Sequence, residues 1–333
     1  MHHFRSVGLA VIAAWSVPVF AQDAPKAGPC TVSIRTRDGK DVEGGLAATT
    51  LSFLVDGAPR VVAVADLLSL HLAAPASASE VAAIERGLLT LAGKDFKANE
   101  AVSAELTDIG LPVLTPLLAS YADTDAHEPD PRYRLFARLV PGRADGKDRS
   151  LDLIRLVDGT VLRGSWQPTD LSLQDEGGNA TAVPGANVRR LAVRRSEVAR
   201  TFELHALRHC TYIGWLDTGI AVTGSSALRG DAEGFVRLSF AEDGWAAGPD
   251  GLHDTLPGKR KLQEGFRWGA VLGRVGAGGE RWLAGGSCAK AKGALAQGRL
   301  FFAVNDNEHW QNNIGSYRVH VVVSAAYDLG DPQ

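Results

Sequence analysis

A strong excess of charge of one sign is missing from this 333-residue chain, because 35 lysines and arginines stand against 38 aspartates and glutamates. The formal net charge of −3 argues against a dedicated nucleic-acid binder, a class that is usually strongly basic. Cysteine is also scarce: the chain has three, so at least one thiol has no partner within a monomer. What remains is an ordinary composition, 45% hydrophobic and 22% charged, which predicts a chain that buries a real core.

Familiar catalytic motifs are missing as well. The chain has no G-x-S-x-G nucleophile elbow, no H-E-x-x-H metal helix and no G-x-x-x-x-G-K-[ST] phosphate loop. Its glycine-rich stretch at 273–279 does not open a helix in a βαβ unit, and we interpret it as a hairpin loop between strands. These absences predict that the protein is not an enzyme.

Long hydrophobic runs are confined to the N-terminus. Residues 1–21 have the features of a secretory signal, with an apolar stretch from Val7 to Trp15 and a small-residue cleavage site at Ala21. Residues 22–29 are typical of a flexible tether. We therefore expect an exported protein, periplasmic or secreted, whose mature chain has no transmembrane segment.

Two stretches of the chain share one pattern of strand-forming residues and turns. Residues 30–74 and 150–195 each contain an Asp-Gly pair between strand-like segments, at 38–39 and at 158–159. Asp-Gly supplies the positive φ that a tight hairpin turn needs. Each copy is too small to be stable alone, so we predict two β-meanders that pack together into one β-domain. Further along the two copies, the aligned positions include Leu70 and Leu191.

Residues 78–141, between the two copies, have a helical pattern instead. One apolar face recurs at helical spacing from Val81 to Leu91, with Ser79 as the expected N-cap. Further helices are expected over 99–107, 111–122 and 130–139, and Pro116 is expected to strain the second of these three. The stretch from Asp95 to Leu118 resembles a HEAT-type helical repeat, which implies a HEAT-like insertion in the β-domain, too short to build a solenoid by itself.

A polar loop lies between two strand-like segments near the C-terminus. Residues 299–304 and 317–323 are rich in β-branched and aromatic side chains. Between them, Asp306, Asn312 and Asn313 offer side-chain oxygens, and Ca²⁺ takes roughly six to eight oxygen ligands. The residues alone leave a second interpretation open, a hairpin whose Asx side chains satisfy only their own backbone.

The last third of the chain resembles the galactophilic PA-I-type lectins, a family of calcium-binding β-sandwiches. The resemblance implies a jelly-roll-like β-sandwich over 200–329, with Asp306, Asn312 and Asn313 as calcium ligands. The elements that carry it are Trp215 to Ile220, Gly248 to Gly251, Gly269 to Gly273, Gly298 to Asp306, and Asn312 to Tyr317.

The same resemblance implies a galactoside-like carbohydrate ligand held by the ion. Asp306 and Asn312 would contact both the ion and the sugar, and His309 and Trp310 would form the rim of the site. An exposed Trp310 would stack on a sugar ring, whereas a buried one would fill the loop. The loop is one residue shorter than in those lectins, and their sugar-contacting histidine–proline pair has no clear counterpart here.

Cys210 and Cys288 both fall in this lectin-like region, and export makes a disulfide between them possible. The alternative is that both are small buried hydrophobic residues.

Five arginines, at positions 189, 190, 194, 195 and 200, form a basic run. A strand places successive residues on opposite faces, so these arginines do not all make one patch. We expect a solvated edge strand guarded by charge. The alternative is that the basic run binds an acidic polysaccharide or an anionic lipid.

Together these patterns predict a mainly-β fold with a helical insertion, made of a repeated β-meander domain and a C-terminal jelly-roll-like sandwich. The predicted function is that of a non-catalytic exported protein with a lectin-like domain that binds calcium and carbohydrate. The alternative is a structural or protein-interaction module with at most a structural calcium site, whose partners would be other exported or envelope proteins.

Overall fold

Strands dominate the computed structural model of this protein. It describes residues 29–73, 75–93, 95–121, 132, 135, 139, 151–212, 214–238, 245–252, 265–306 and 313–330. Within these residues the chain forms eighteen β-strands and three α-helices. This confirms the predicted mainly-β fold with a few helices. The predicted signal at 1–21 lies outside the described residues.

Ten strands make up the region of repeated sequence. The hairpin between the first two turns at Gly39 with a φ of 82°, and the matching hairpin of the second copy turns at Gly159 with a φ of 86°. Glycine adopts these positive φ values without steric penalty, so the two Asp-Gly pairs form the predicted turns. The strands are β1 (Thr31–Thr36), β2 (Asp41–Leu46), β3 (Thr50–Val55), β4 (Ala58–Ala63), β5 (Leu67–His71), β6 (Asp152–Leu156), β7 (Val161–Trp166), β8 (Leu171–Gln174), β9 (Ala180–Val183) and β10 (Val188–His205).

The two copies of the repeat exchange strands. β1 pairs with β10 and β6 with β5, while β2 pairs with β8 and β3 with β7. At the centre β5 runs antiparallel to β10, and Leu70 lies directly opposite Leu191. These two leucines are equivalent in the aligned copies, so each pairs with its own counterpart, as at a local two-fold axis. Both copies therefore contribute to one core, which includes Ile34, Phe53 and Leu173.

Between β5 and β6 lies the helical insertion, which contains α1 (Ala78–Leu91), α2 (Phe96–Ile109) and α3 (Leu114–Tyr121). Ser77, not the predicted Ser79, caps α1, because its side chain and that of Glu80 each accept a hydrogen bond from the other residue's N–H. Such a capping box needs the serine three residues before the glutamate. Pro116 does not interrupt α3, because the helix begins at Leu114 and the proline therefore lies in its first turn.

Eight further strands, with the second part of β10, form the C-terminal sandwich. One series pairs in the order β10–β18–β12–β16 and another in the order β11–β17–β14–β15. The rings of Phe202 on β10 and Phe302 on β17 lie 5.7 Å apart between centroids, so the two series pack face to face. The strands are β11 (Leu216–Val222), β12 (Ala227–Arg237), β13 (Ala246–Ala247), β14 (Val271–Val275), β15 (Trp282–Leu283), β16 (Ser287–Lys290), β17 (Gly298–Val304) and β18 (Ile314–Asp328).

β10 belongs to both β-regions. Its first residues lie between β1 and β5, and from Arg194 onward it pairs with β18 of the sandwich. The predicted edge strand is therefore wrong for the start of the basic run, where Arg190 is paired with a strand on each side. A continuous strand, rather than a loose connection, joins the repeat region to the sandwich.

Ion pairs join the helical insertion to both β-regions. Arg35 of β1 donates to Asp108 of α2 at 3.2 Å, and Arg274 of β14 pairs with Glu100 of α2. The Arg274 guanidinium also lies over the ring of Trp215, 4.2 Å from its centroid. Among the described residues no single helix is long and apolar enough to cross a membrane; 98–109 and 111–120 pass that test only as a pair bent by 114°.

Candidate functional site

Asp306 and Asn313 lie at the two ends of the predicted metal loop. Asp306 follows β17 and Asn313 immediately precedes β18. The two strands belong to different pairing series of the sandwich. Both side chains are nevertheless almost fully buried, with exposures of 6% for Asp306 and 3% for Asn313.

The structure brings these two predicted ligands into direct contact. The Asn313 Nδ2 donates to Oδ2 of Asp306 at 2.5 Å and to the carbonyl oxygen of Ala206 at 3.1 Å. Both amide hydrogens of Asn313 are thereby used, since an amide nitrogen carries two. The other end of the same group, Oδ1, is buried and has no hydrogen-bond partner among the described residues.

This bonding pattern fixes which way the Asn313 amide points. Turning the amide over would place Oδ1 against a carboxylate oxygen and a carbonyl oxygen, both of which only accept hydrogen bonds. The oxygen is therefore held on the side away from Asp306 Oδ2 and Ala206. A buried acceptor without a donor costs about 1–3 kcal/mol, and a cation is one group that would satisfy it.

The start of the loop is held by neighbouring side chains. The Asp306 N–H donates to Oγ1 of Thr211 at 3.2 Å, and the Thr211 hydroxyl donates to the Asp306 carbonyl at 2.9 Å. The Asn305 amide donates to the carbonyls of Phe266 and Arg267. Asn305 thus binds the backbone of a distant segment and not its own, as the Asx interpretation would require, and Asn313 leaves its acceptor unsatisfied.

The donor chemistry of the described part of the site suits a hard cation. A carboxylate and an amide oxygen are the types of ligand that Ca²⁺ takes in proteins. Across the described ranges, no three His, Cys, Asp or Glu side chains cluster as a metal site. The predicted ligand Asn312 and the predicted rim residues His309 and Trp310 lie outside the described residues.

The Cys210–Cys288 disulfide expected from the sequence is absent from this structure, in which both residues are thiols. The backbone of Cys210 forms an isolated parallel β-bridge with Val304, at the end of β17. Cys288 lies on β16 opposite Gly230 of β12, in the other pairing series. Shared membership of one region did not place the two sulfur atoms together. Burial raises the pKa of the Cys288 thiol, which favours the unreactive protonated form.

Other residues that carry the lectin resemblance support the backbone. The buried Tyr317 hydroxyl lies within 2.9 Å of the carbonyl oxygens of Ala247, Gly248 and Gly269. Asp250 accepts a hydrogen bond from the Gly286 N–H at 2.8 Å. The Tyr317 contacts join β18 to the segments beside β13 and β14.

Two groups that shape this site were not predicted from the sequence. Thr211 and Ala206 lie 95 and 107 residues before their partners. Ala206 acts through its carbonyl, which any residue provides, so no sequence pattern could have identified it.

Comparison with known proteins finds matches among solved structures alone. No protein-family model matches the chain, and no curated protein matches it. Among solved structures, the chain is similar to the N-terminal domain of EclA, described as a PllA-like lectin, at 17% sequence identity and a TM-score of 0.28. The match covers 38% of this chain and 96% of that one.

Proposed function

We propose that this is an exported, non-catalytic protein whose C-terminal sandwich binds Ca²⁺, and that the ion holds a carbohydrate. One observation supports the metal above all others. Asn313 Oδ1 is buried without a donor, in an orientation fixed by the hydrogen bond from its amide nitrogen to the carboxylate of Asp306. Asp306 and Asn313 would be protein ligands of the ion, and Asn312 is the third expected ligand.

The carbohydrate part of the proposal rests on the loop's expected residues. When bound, Ca²⁺ supplies coordination positions that sugar hydroxyls can occupy. His309 and Trp310 would form the rim and orient a galactoside-like ring, with the indole against its C–H face.

The test of the metal site is a calorimetric titration of EDTA-treated protein with CaCl₂. We expect wild-type protein to bind and its melting temperature to rise, because a ligand of the native state stabilises that state by mass action. Asp306→Asn should weaken binding at least tenfold, which corresponds to about 1.4 kcal/mol. Asp231→Asn is the matched control, since Asp231 is an exposed carboxylate on β12 of the same sandwich. A wild-type melting temperature indifferent to both EDTA and Ca²⁺ would rule the site out.

The carbohydrate is tested by repeating the titration with methyl galactoside in the presence and absence of Ca²⁺. Trp310→Ala should weaken the sugar while leaving the Ca²⁺ affinity unchanged. Calcium binding with no calcium-dependent signal on a broad glycan array would leave the metal site standing and remove the lectin function.

That outcome would favour a second candidate, a protein-interaction module in which the ion only stabilises the loop. One observation supports this candidate. Phe235 and Ile314 are 61% and 49% exposed, and they lie at diagonal positions of the β12–β18 ladder beside the loop. Two large apolar side chains in that place suit an exported or envelope protein as partner.

A further inference from the structure

The five arginines of the basic run differ in what they contact. Four have protein acceptors, and the side chain of the fifth, Arg190, makes neither a hydrogen bond nor an ion pair within the described part of the chain. The four bonded pairs are Arg189 with Glu80, Arg194 with Glu43, Arg195 with the carbonyls of Ala65 and Leu67, and Arg200 with Asp328.

Arg190 lines a cavity of about 180 Å³ where the repeat region, the helical insertion and the sandwich meet. We call it the junction cavity. Arg35 of β1 and Arg299 of β17 line it as well, and so do Phe301 and Leu329. Three guanidinium groups therefore surround a small space that also has an apolar side.

The carboxylates at the junction cavity are already engaged. Asp41 and Asp108 both accept from Arg35, at 2.7 and 3.2 Å. Arg299 donates its Nε to Asp217 at 2.7 Å, and no other hydrogen bond of its guanidinium is formed among the described residues. The acids thus pair with the neighbours of Arg190 and not with Arg190 itself.

The strand register places the charge of Arg190 where it destabilises the folded protein. On β10, Arg190 lies directly opposite Arg35 of β1 on one side and His71 of β5 on the other. Like charges directly opposite each other destabilise a sheet. Burial is the main influence that lowers the pKa of Arg190; the charge of Asp108 opposes it and that of Arg299 adds to it. His71 contributes no positive charge, because burial above all lowers its pKa to about 3.

Arg190 is half-buried, and the nearby carboxylates of Asp41 and Asp108 are hydrogen-bonded to Arg35 and not to it. Arginine presents a planar fork of donors that fits the two oxygens of a carboxylate or phosphate. We propose that the junction cavity binds a small anion with a single oxyanion group, held by Arg190 and Arg299, with its apolar part against Phe301. The cavity is smaller than the ~300 Å³ at which pockets for larger organic ligands begin, so the occupant is small.

The experiment measures melting temperature and binding heat with two probes, sodium phosphate and sodium acetate, each against sodium chloride of equal ionic strength. We expect at least one oxyanion to raise the melting temperature above the chloride value, because it binds the native state alone. A response to phosphate alone assigns the site to phosphate groups, and a response to acetate alone assigns it to carboxylates. No response to either, beyond that of chloride, overturns the proposal.

Arg190→Gln should weaken binding of the responding anion at least tenfold. Its matched control is Arg229→Gln, which removes the same charge from an exposed arginine that pairs with Glu197 and should bind as wild type does. In chloride, Arg190→Gln should melt no lower than wild type, because no protein partner of Arg190 is lost. If Arg190→Gln keeps wild-type anion affinity, or melts well below wild type in chloride, Arg190 has a structural role and the proposal is wrong.

Discussion

Arg189 and Arg190 are neighbours on β10, yet their side chains lie at two contact regions, here called joints, that differ in whether the protein neutralises the charge. Arg189 meets Glu80 of α1 through three hydrogen bonds of 2.7–3.1 Å, and both side chains are at most 9% exposed. Arg190 meets the junction cavity and no protein acceptor among the described residues. Two neighbouring residues of one strand thus form a closed joint, at Arg189, and an open joint, at Arg190.

The difference shows that a run of like residues need not be one functional feature. In the closed joint the charge is neutralised within the chain, so its role is to hold the helical insertion in place. In the open joint the charge is left for something outside the chain. The two roles make opposite predictions for the same type of substitution.

The largest effect is expected at the closed joint. Glu80→Gln should lower the free energy of unfolding by about 3–5 kcal/mol, because it leaves the charge of Arg189 buried and uncompensated. Chemical denaturation measures this loss. Glu85→Gln, on an exposed position of the same helix, should change stability by less than about 0.5 kcal/mol. Equal effects of the two variants would remove the distinction between the joints.

The second effect concerns pH at the open joint. The pKa of His71 is lowered to about 3, first by burial and then by the charges of Arg190, Arg155 and Arg299, against a backbone hydrogen bond with Leu329 that raises it. On acidification, His71 therefore binds a proton near pH 6.5 in the unfolded chain but not in the folded chain. Stability contributed by neutral His71 is full above pH 6.5 and decreases as the pH falls, by about 2 kcal/mol at pH 5.

This pH effect is measured by melting wild type and His71→Asn between pH 7 and pH 4. The variant should lose less stability on acidification than wild type does. His320→Asn, on β18 beside Thr201, is the control and should follow the wild-type curve. Parallel curves for wild type and His71→Asn would show that His71 is not the group responsible.

The smallest effect is expected where the helical insertion meets the sandwich. Glu100 is 20% exposed in its pair with Arg274, and Arg274 keeps its contact with the Trp215 ring when the pair is broken. Glu100→Gln should therefore lower the free energy of unfolding by about 1–2 kcal/mol, as measured by chemical denaturation. The control is Glu105→Gln, whose pair with Arg86 is 3.6 Å long and exposed. A loss as large as that of Glu80→Gln would place this joint in the closed class.

Local rules predicted the parts of this fold that depend on neighbouring residues. The Asp-Gly turns at Gly39 and Gly159 followed from backbone geometry alone. The capping box was missed by two residues, because Ser77 and Ser79 are both good caps and only Ser77 is three residues before Glu80. The pairing of strands between the two copies could not be predicted from the hydrophobic pattern, because the strands of both copies have the same alternation of apolar and polar residues.

The sites show the same limit. The alternation along β10 predicted that Arg189 and Arg190 would face different ways, but Glu80 lies 109 residues from Arg189 and only the fold decides which arginine meets it. The lectin resemblance predicted that Asp306 and Asn313 belong to one site. The Ala206 carbonyl that orients the Asn313 amide could not be predicted, because every residue has such a group. Two cysteines in one region likewise say nothing about the distance between them.

The exchange of strands between the two copies sets an order of events during synthesis. β1 pairs early with β2, but its other neighbour is β10, where Val32 lies opposite Val193. The whole helical insertion and most of the second copy are made in between. Contacts so far apart in sequence form slowly, because a long loop must close first. The first copy therefore leaves the ribosome with one edge of β1 open, and that edge has no native partner until β10 has been made.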